Sequence, residues 1–158
     1  MKKASQTIQS LGYNMSIPKF TKYLENDKLQ KFSSAEDVRK YYYSALNKVN
    51  RHLHEILHKD DISGNQKKII LSFIHCHQHA DHMKRLKIEP SPYTPFGPKA
   101  IYRKDTLYVR FEPLETLSKF ETLAFIMHEA NPGHHLSNTW LAAQTNLPNF
   151  IKKPMFYR

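Results

Sequence analysis

Cysteine is nearly missing from this chain: Cys76 is the only one in 158 residues, so no internal disulfide can staple the fold. Glycine is scarce as well, four in all, which argues against a loop-rich or strand-and-turn architecture. No stretch approaches the roughly 18 consecutive apolar residues that a membrane-spanning helix needs. The basic start, Met1-Lys2-Lys3-Ala4-Ser5-Gln6-Thr7, is not followed by the apolar run of a secretory signal, so the default expectation is an intracellular protein that does not enter membranes. Acidic residues are also few, 14 against 24 Lys and Arg, leaving a formal charge of +10. What is present is a 40% hydrophobic chain with nine Tyr and nine Phe, enough to exclude disorder and to build a core.

Excess positive charge attracts nucleic acid or other anionic partners when it is concentrated. Here it is dispersed: Lys2-Lys3, Lys67-Lys68, Lys84-Arg85 and Lys152-Lys153 lie far apart, and no aromatic-basic recognition motif joins them. A solvated basic surface is the favoured reading. A basic module binding an anionic partner such as nucleic acid stands as an alternative.

Helical patterns dominate. Ile17 to Leu24 reads as a short helix with Ser16 as N-cap and Pro18 in the first turn. Ser33 and Glu36 have the spacing of a capping box, opening a helix whose Val38, Tyr42, Ala45, Val49, Leu53 and Ile56 form one apolar stripe. Asp60 to Asn65 reads as a break, and residues 66–86 as a second helix. Pro90, Pro92, Pro95 and Pro98 mark 87–99 as an extended linker. Residues 100–103 and 106–111 flank Lys104-Asp105 and predict a hairpin; Leu107, Val109 and Phe111 alternate with Tyr108 and Arg110, the period of a half-buried strand. After Pro113, Leu114, Leu117, Phe120, Ala124 and Met127 predict one helical face leading into His128-Glu129.

Zinc hydrolases commonly carry His-Glu-x-x-His on a helix, two imidazoles holding the metal and the Glu taking a proton from water. This chain begins that pattern at His128-Glu129 and departs from it: four residues on stands Pro132, with His134 and His135 after it. On a straight helix His134 would point about 120° away from His128, and His135 would lie roughly 10 Å farther along the axis. Neither could share a zinc with His128 at about 2.0–2.1 Å per ligand. Pro132 and Gly133 can kink or bulge the helix and return His134 toward His128. His128 and His134 are therefore the expected Zn2+ ligands and Glu129 the general base, with His135 an alternative ligand or a supporting group. The competing reading is that Pro-Gly merely ends a helix and the histidines decorate a turn. Leu136, Trp140 and Ala143 predict that a helix resumes beyond the break.

The run His128-Glu129-Ala130-Asn131-Pro132-Gly133-His134-His135-Leu136 resembles the His-Glu-Ala-x-Pro-Gly-His-His-Leu signature of the domain-of-unknown-function 885 family. Similar segments flank it: Phe20 to Leu24 with Phe32 to Asp37, Pro92-Tyr93, Leu107-Tyr108-Val109, and Leu147 to Phe150. The similarity covers about residues 17–58 and 86–158. It implies a mainly helical zinc peptidase-like domain with a minor β-hairpin, hydrolysing peptide bonds in the manner of carboxypeptidases or dipeptidases, with a short peptide as substrate. Tyr102, Tyr108 and Arg110 are candidates to steady an oxyanion or a substrate carboxylate. Residues 107–111 are a candidate strand for edge pairing with an extended peptide.

Two departures shape the expectation. Family members continue into a Glu-Gly-Trp-Ala-Leu-Tyr-like segment whose Glu is the implied third metal ligand, whereas residues 137–158 hold no Asp or Glu. A catalytic zinc normally takes three protein ligands and keeps one open position. The chain is thus expected to be a partial catalytic domain truncated before its C-terminal part, with a non-catalytic metal- or partner-binding remnant as the alternative. Residues 62–85 match nothing in the family and read as an insertion. Within them His75, His79 and His82 share a helical face, a pattern weighed as an auxiliary metal site and set aside because no Cys pair or acid completes it.

Overall fold

A computed structural model describes residues 2–57, 86–93, 97–144 and 146–152. The predicted second helix and His75, His79 and His82 lie outside the described residues. What is described is mostly helical, with a small three-stranded sheet.

Helices α1 (Lys2–Ser10) and α2 (Ile17–Asn26) form an N-terminal pair. Helix α2 starts after Ser16 with Pro18 in its first turn, as its sequence predicts. The pair is pinned by aromatics: Tyr13 lies 5.0 Å from Phe20 and 5.4 Å from Tyr23, centroid to centroid. Helix α3 (Ala35–Leu57) is the spine of the molecule. Its cap falls one residue later than the Ser33–Glu36 pairing. The Asp37 N–H donates to Ser34 Oγ at 3.1 Å, while the Asp37 carboxylate accepts from the Ser33 N–H at 3.1 Å. The cap is Ser34, the third residue after it is Asp37 rather than Glu36, and the carboxylate reaches back past the cap to Ser33. The predicted stripe is buried through Val38, Tyr42 and Val49, with Leu46 added and Ala45 and Leu53 packed alongside. It ends early, because Ile56 is exposed.

The hairpin forms as β2 (Ala100–Arg103) and β3 (Thr106–Val109), antiparallel, with Tyr102 opposite Leu107. Lys104 and Asp105 take φ of 48° and 60°, the doubly left-handed backbone of a two-residue turn whose twist suits a hairpin. The expected linker holds a surprise: its first four residues form β1 (Lys87–Pro90), which pairs parallel to β3. The order is β1-β3-β2, so β3 is central. That arrangement leaves no open edge on β3 and rules out pairing of residues 106–109 with a peptide. Pro90 is tolerated because it ends an edge strand.

The pleat sends Ile88, Leu107, Val109, Ala100 and Tyr102 to one face, all buried. That face and α3 make the core together with Ile126 and Ala130. Tyr108, Ile101 and Glu89 project from the opposite face and are half-buried. The predicted alternation of Leu107, Val109 and Phe111 with Tyr108 and Arg110 is therefore met.

The approach to the motif differs from its predicted phase. Leu114–Thr116 is a single 3₁₀ turn, Leu117 is extended, and helix α4 (Lys119–Phe125) starts only after Ser118. The helical period restarts at Lys119, so the buried positions are Thr122, Ile126 and Ala130, four apart, while Ala124 and Met127 face outward. Lys99 Nζ grips both Glu121 oxygens at 2.9 and 2.7 Å in a partly buried pair that ties the sheet's margin to α4.

Candidate metal centre

Helix α4 does not continue as an α-helix into the motif. Ile126–Ala130, which contains His128 and Glu129, is a π-turn, and helix α5 (His134–Ala143) begins after the Asn131-Pro132-Gly133 corner. A π-turn accommodates one extra residue and widens the helix, a form found mostly as an isolated bulge. Here its cause is local. Pro132 has no N–H to give to the preceding turn. Gly133 folds so closely over that turn that a Cβ there would lie 1.8 Å from the His128 carbonyl oxygen and 2.7 Å from that of Met127. No other residue fits this approach.

The corner is also bolted to the spine. Asn131 is buried and its Nδ2 donates to Asn50 Oδ1 of α3 at 2.8 Å. Asn131 fills the variable position of the signature and Asn50 lies on a helix read for its apolar stripe, so sequence reasoning passed over both. A polar Asn interrupting one turn of that helix was the only available signal. Beyond the corner, Ser137 caps Gly133: its Oγ and N–H donate to the Gly133 carbonyl at 2.8 and 3.1 Å.

The consequence for the side chains is direct. The rings of His128 and His134 lie 5.0 Å apart, edge to face. Ligand atoms of His128, Glu129 and His134 all fall within 4.8 Å of one another. The break thus brings together the three residues singled out at the motif. The geometry is loose for a bound ion, since tetrahedral ligands at about 2.1 Å stand about 3.4 Å apart. His128 Nε2 stands 3.8 Å from Glu129 Oε1. Rotation of an exposed imidazole closes such a gap, and the His128 side chain is 70% exposed. Two imidazoles and a carboxylate are a donor set that suits Zn2+, so the residues fit the metal. No other such group exists among the described residues.

Glu129 is the least free of the three, with its side chain 14% exposed. Its Oε2 accepts the backbone N–H of Tyr102 at 2.9 Å. Tyr102 opposes Leu107 as a non-hydrogen-bonded pair, because the Arg110 N–H donates to the Lys99 carbonyl and the ladder alternates from there. Its N–H therefore leaves the sheet through the outer edge of β2 and meets Glu129.

His135 is not part of the cluster. It is buried, and its Nδ1 lies 3.2 Å from the Tyr102 hydroxyl. That hydroxyl donates to Asp105 Oδ1 at 3.1 Å and accepts the Asp105 N–H at 3.3 Å, so the imidazole is the donor to it. His135 thus fastens α5 to the β2–β3 turn.

The same contacts revise the substrate candidates. The Tyr102 hydroxyl is buried and committed to His135 and Asp105, so it does not face an oxyanion. Tyr108 projects from the other face of the sheet and sets its ring edge-on against Tyr93 at 6.5 Å. Arg110 Nη2 donates to the Gly97 carbonyl. No hydrogen bond or ring contact among the described residues links Tyr108 or Arg110 to the histidine cluster. The strand position of Tyr108 was legible, while Arg110 falls one residue past the end of β3; which face each would take relative to the motif was not. Comparison with known proteins adds nothing to this picture: no family model, curated protein or solved structure matches the chain.

Proposed function

We propose that this chain carries the metal-binding corner of a zinc-dependent peptide-bond hydrolase, with His128 and His134 holding the metal and Glu129 serving as general base. The observation that carries the reading is the convergence of these three side chains across a break in the helix, where a straight helix would have separated them. Support also comes from the resemblance of residues 128–136 to the domain-of-unknown-function 885 signature, from which the carboxypeptidase- or dipeptidase-like class and a short peptide substrate follow. Zinc, when bound, supplies a Lewis acid that polarises the scissile carbonyl and makes water more acidic.

The chain's own residues do the rest. His128 stands open to solvent and leaves the site accessible on that side. Glu129 has one oxygen pinned by the Tyr102 N–H and the other turned toward His128, ready to take a proton from water and pass it to the leaving amine. Gly133, Asn131 and His135 hold the corner that fixes these positions.

A second reading has its own observation. The cluster holds three donors, and if Glu129 itself ligates the metal, no base remains. The chain would then be a non-catalytic metal-binding remnant. Zinc titration of the chain beside His128→Ala, His134→Ala and Glu129→Gln, with a peptidase assay on short peptides, separates the two. The hydrolase reading expects one zinc per chain, lost in both histidine variants and kept in Glu129→Gln, with hydrolysis abolished in all three. Loss of zinc from Glu129→Gln selects the remnant, and no zinc in the parent chain removes both.

A further inference from the structure

Three contacts around the site meet in one residue. The Tyr102 N–H holds Glu129 Oε2 at 2.9 Å, and its hydroxyl receives His135 at 3.2 Å and reaches Asp105 at 3.1 Å. Tyr102 is itself 3% exposed and sits opposite Leu107, which is fully buried. We infer that Tyr102 is the positioning residue of the site: its backbone sets which oxygen of Glu129 does the work, and its side chain sets where the helix bearing His134 begins. The catalytic part of this inference rests on the reading of Glu129 as general base.

The physical case is one of geometry and strength. A carboxylate on a short turn can rotate about its terminal torsion, presenting either oxygen to water. A hydrogen bond from a backbone amide to a charged oxygen is among the stronger ones, and here it forms in a place shielded from solvent. It holds Oε2 against the strand and leaves Oε1 as the single working oxygen, 3.8 Å from His128 Nε2. The anchoring N–H comes from a strand rather than a loop, and that strand is locked to β3 by its ladder and to α5 through the Tyr102 hydroxyl. One residue thus fixes the base and the helix carrying a metal ligand in a common frame, as a preorganised site requires.

The test removes one atom pair. Replacing Tyr102 by its α-hydroxy acid turns the amide into an ester and deletes the N–H while keeping the phenol and its contacts. The same replacement at Ile101, whose N–H points into the ladder, controls for weakening the strand. The Tyr102 ester is expected to lower kcat about ten- to hundred-fold with KM and zinc affinity within about two-fold, as loss of a charged hydrogen bond implies. The Ile101 ester is expected to lower the melting temperature and change kcat by less than about two-fold. Amide exchange supplies a readout that needs neither metal nor substrate. In Glu129→Ala the Tyr102 amide should exchange about ten-fold faster or more, with Ile101 and Arg103 unchanged. Unaltered kcat in the Tyr102 ester, or unaltered Tyr102 exchange in Glu129→Ala, overturns the inference. A parent chain that hydrolyses no peptide defeats the functional reading instead, and the exchange result still decides the contact.

Discussion

Gly133→Ala should damage this protein out of proportion to the single methyl group it adds. An added Cβ would stand 1.8 Å from the His128 carbonyl oxygen, 2.4 Å from its carbonyl carbon and 2.7 Å from the Met127 oxygen. Real Cβ atoms essentially never come within 3.0 Å of such neighbours, so the two segments must part by at least the difference, 3.0 − 1.8 = 1.2 Å. All three obstacles are backbone, which cannot swing aside as the end of a side chain can. Overpacking that forces backbone shifts costs about 3 kcal/mol at the upper end of its usual range. For a domain of this size each kcal/mol moves the melting temperature by about 2–4 °C, giving a fall of roughly 6–12 °C. The shift acts on the peptide that carries the His128 ring, and metal sites hold their distances within about 0.2 Å. Zinc affinity should therefore fall by at least about ten- to hundred-fold, the range expected when a ligand loses its supporting contacts. Gly12→Ala is the matched control. It meets nothing within 4 Å but sits at φ +85°, so it should cost about 1–2 kcal/mol of backbone strain and leave zinc binding alone. Thermal melts and isothermal titration on both variants are the assay. A Gly133→Ala protein that melts within about 2 °C of the parent, less than 1 kcal/mol on that scale, and binds zinc as tightly would refute the account of the corner.

His134→Ala and His135→Ala, neighbours in sequence, should fail differently. The first should lose zinc with little change in melting temperature. The second should keep zinc and lose about 1–3 kcal/mol, because it removes a buried imidazole and its hydrogen bond to the Tyr102 hydroxyl, which keeps only its Asp105 contacts of the three; if zinc departs with His135 and stays without His134, the ligand assignment must move. At the start of α3, the Ser33 N–H holds the Asp37 carboxyl below its usual value of 3.8. A depressed folded-state value contributes stability above the ordinary pKa and loses it as pH falls through the lower one. Denaturant midpoints of the parent and Asp37→Asn should therefore differ near neutrality and converge as pH falls below the ordinary carboxyl value of 3.8; a gap that persists in strong acid would count against the cap.

Much of the fold was legible because it rests on local rules. Val38, Tyr42 and Val49 announce α3 by period, and Leu107 and Val109 announce β3 by alternation. What escaped was set by contacts distant in sequence. Lys87–Pro90 reads as linker because Pro90 and the prolines after it forbid helix, and nothing local says that β3 needs a parallel neighbour. The phase of α4 was misjudged because Leu114 and Leu117 were counted into a helix that starts only at Lys119. At the site, the spacing of His128, Pro132 and His134 was enough to require a break. It was not enough to separate His134 from His135, since that depends on the Tyr102 hydroxyl waiting on another element to receive one of them.

The sheet has two outer rims, and on each a side chain accepts an outward-pointing N–H. The Tyr43 hydroxyl accepts the Ile88 N–H on the β1 side at 3.2 Å, and Glu129 accepts the Tyr102 N–H on the β2 side. A bare strand rim is a template on which another chain can add itself. The carboxylate proposed as general base therefore also occupies an outward donor that a bare rim would leave open to another strand. Glu129→Gln retains an oxygen that can face Tyr102 and keep that contact, whereas Glu129→Ala removes it. The conservative variant is therefore the cleaner probe of the proposed base, because it removes the charge and keeps the contact at the rim.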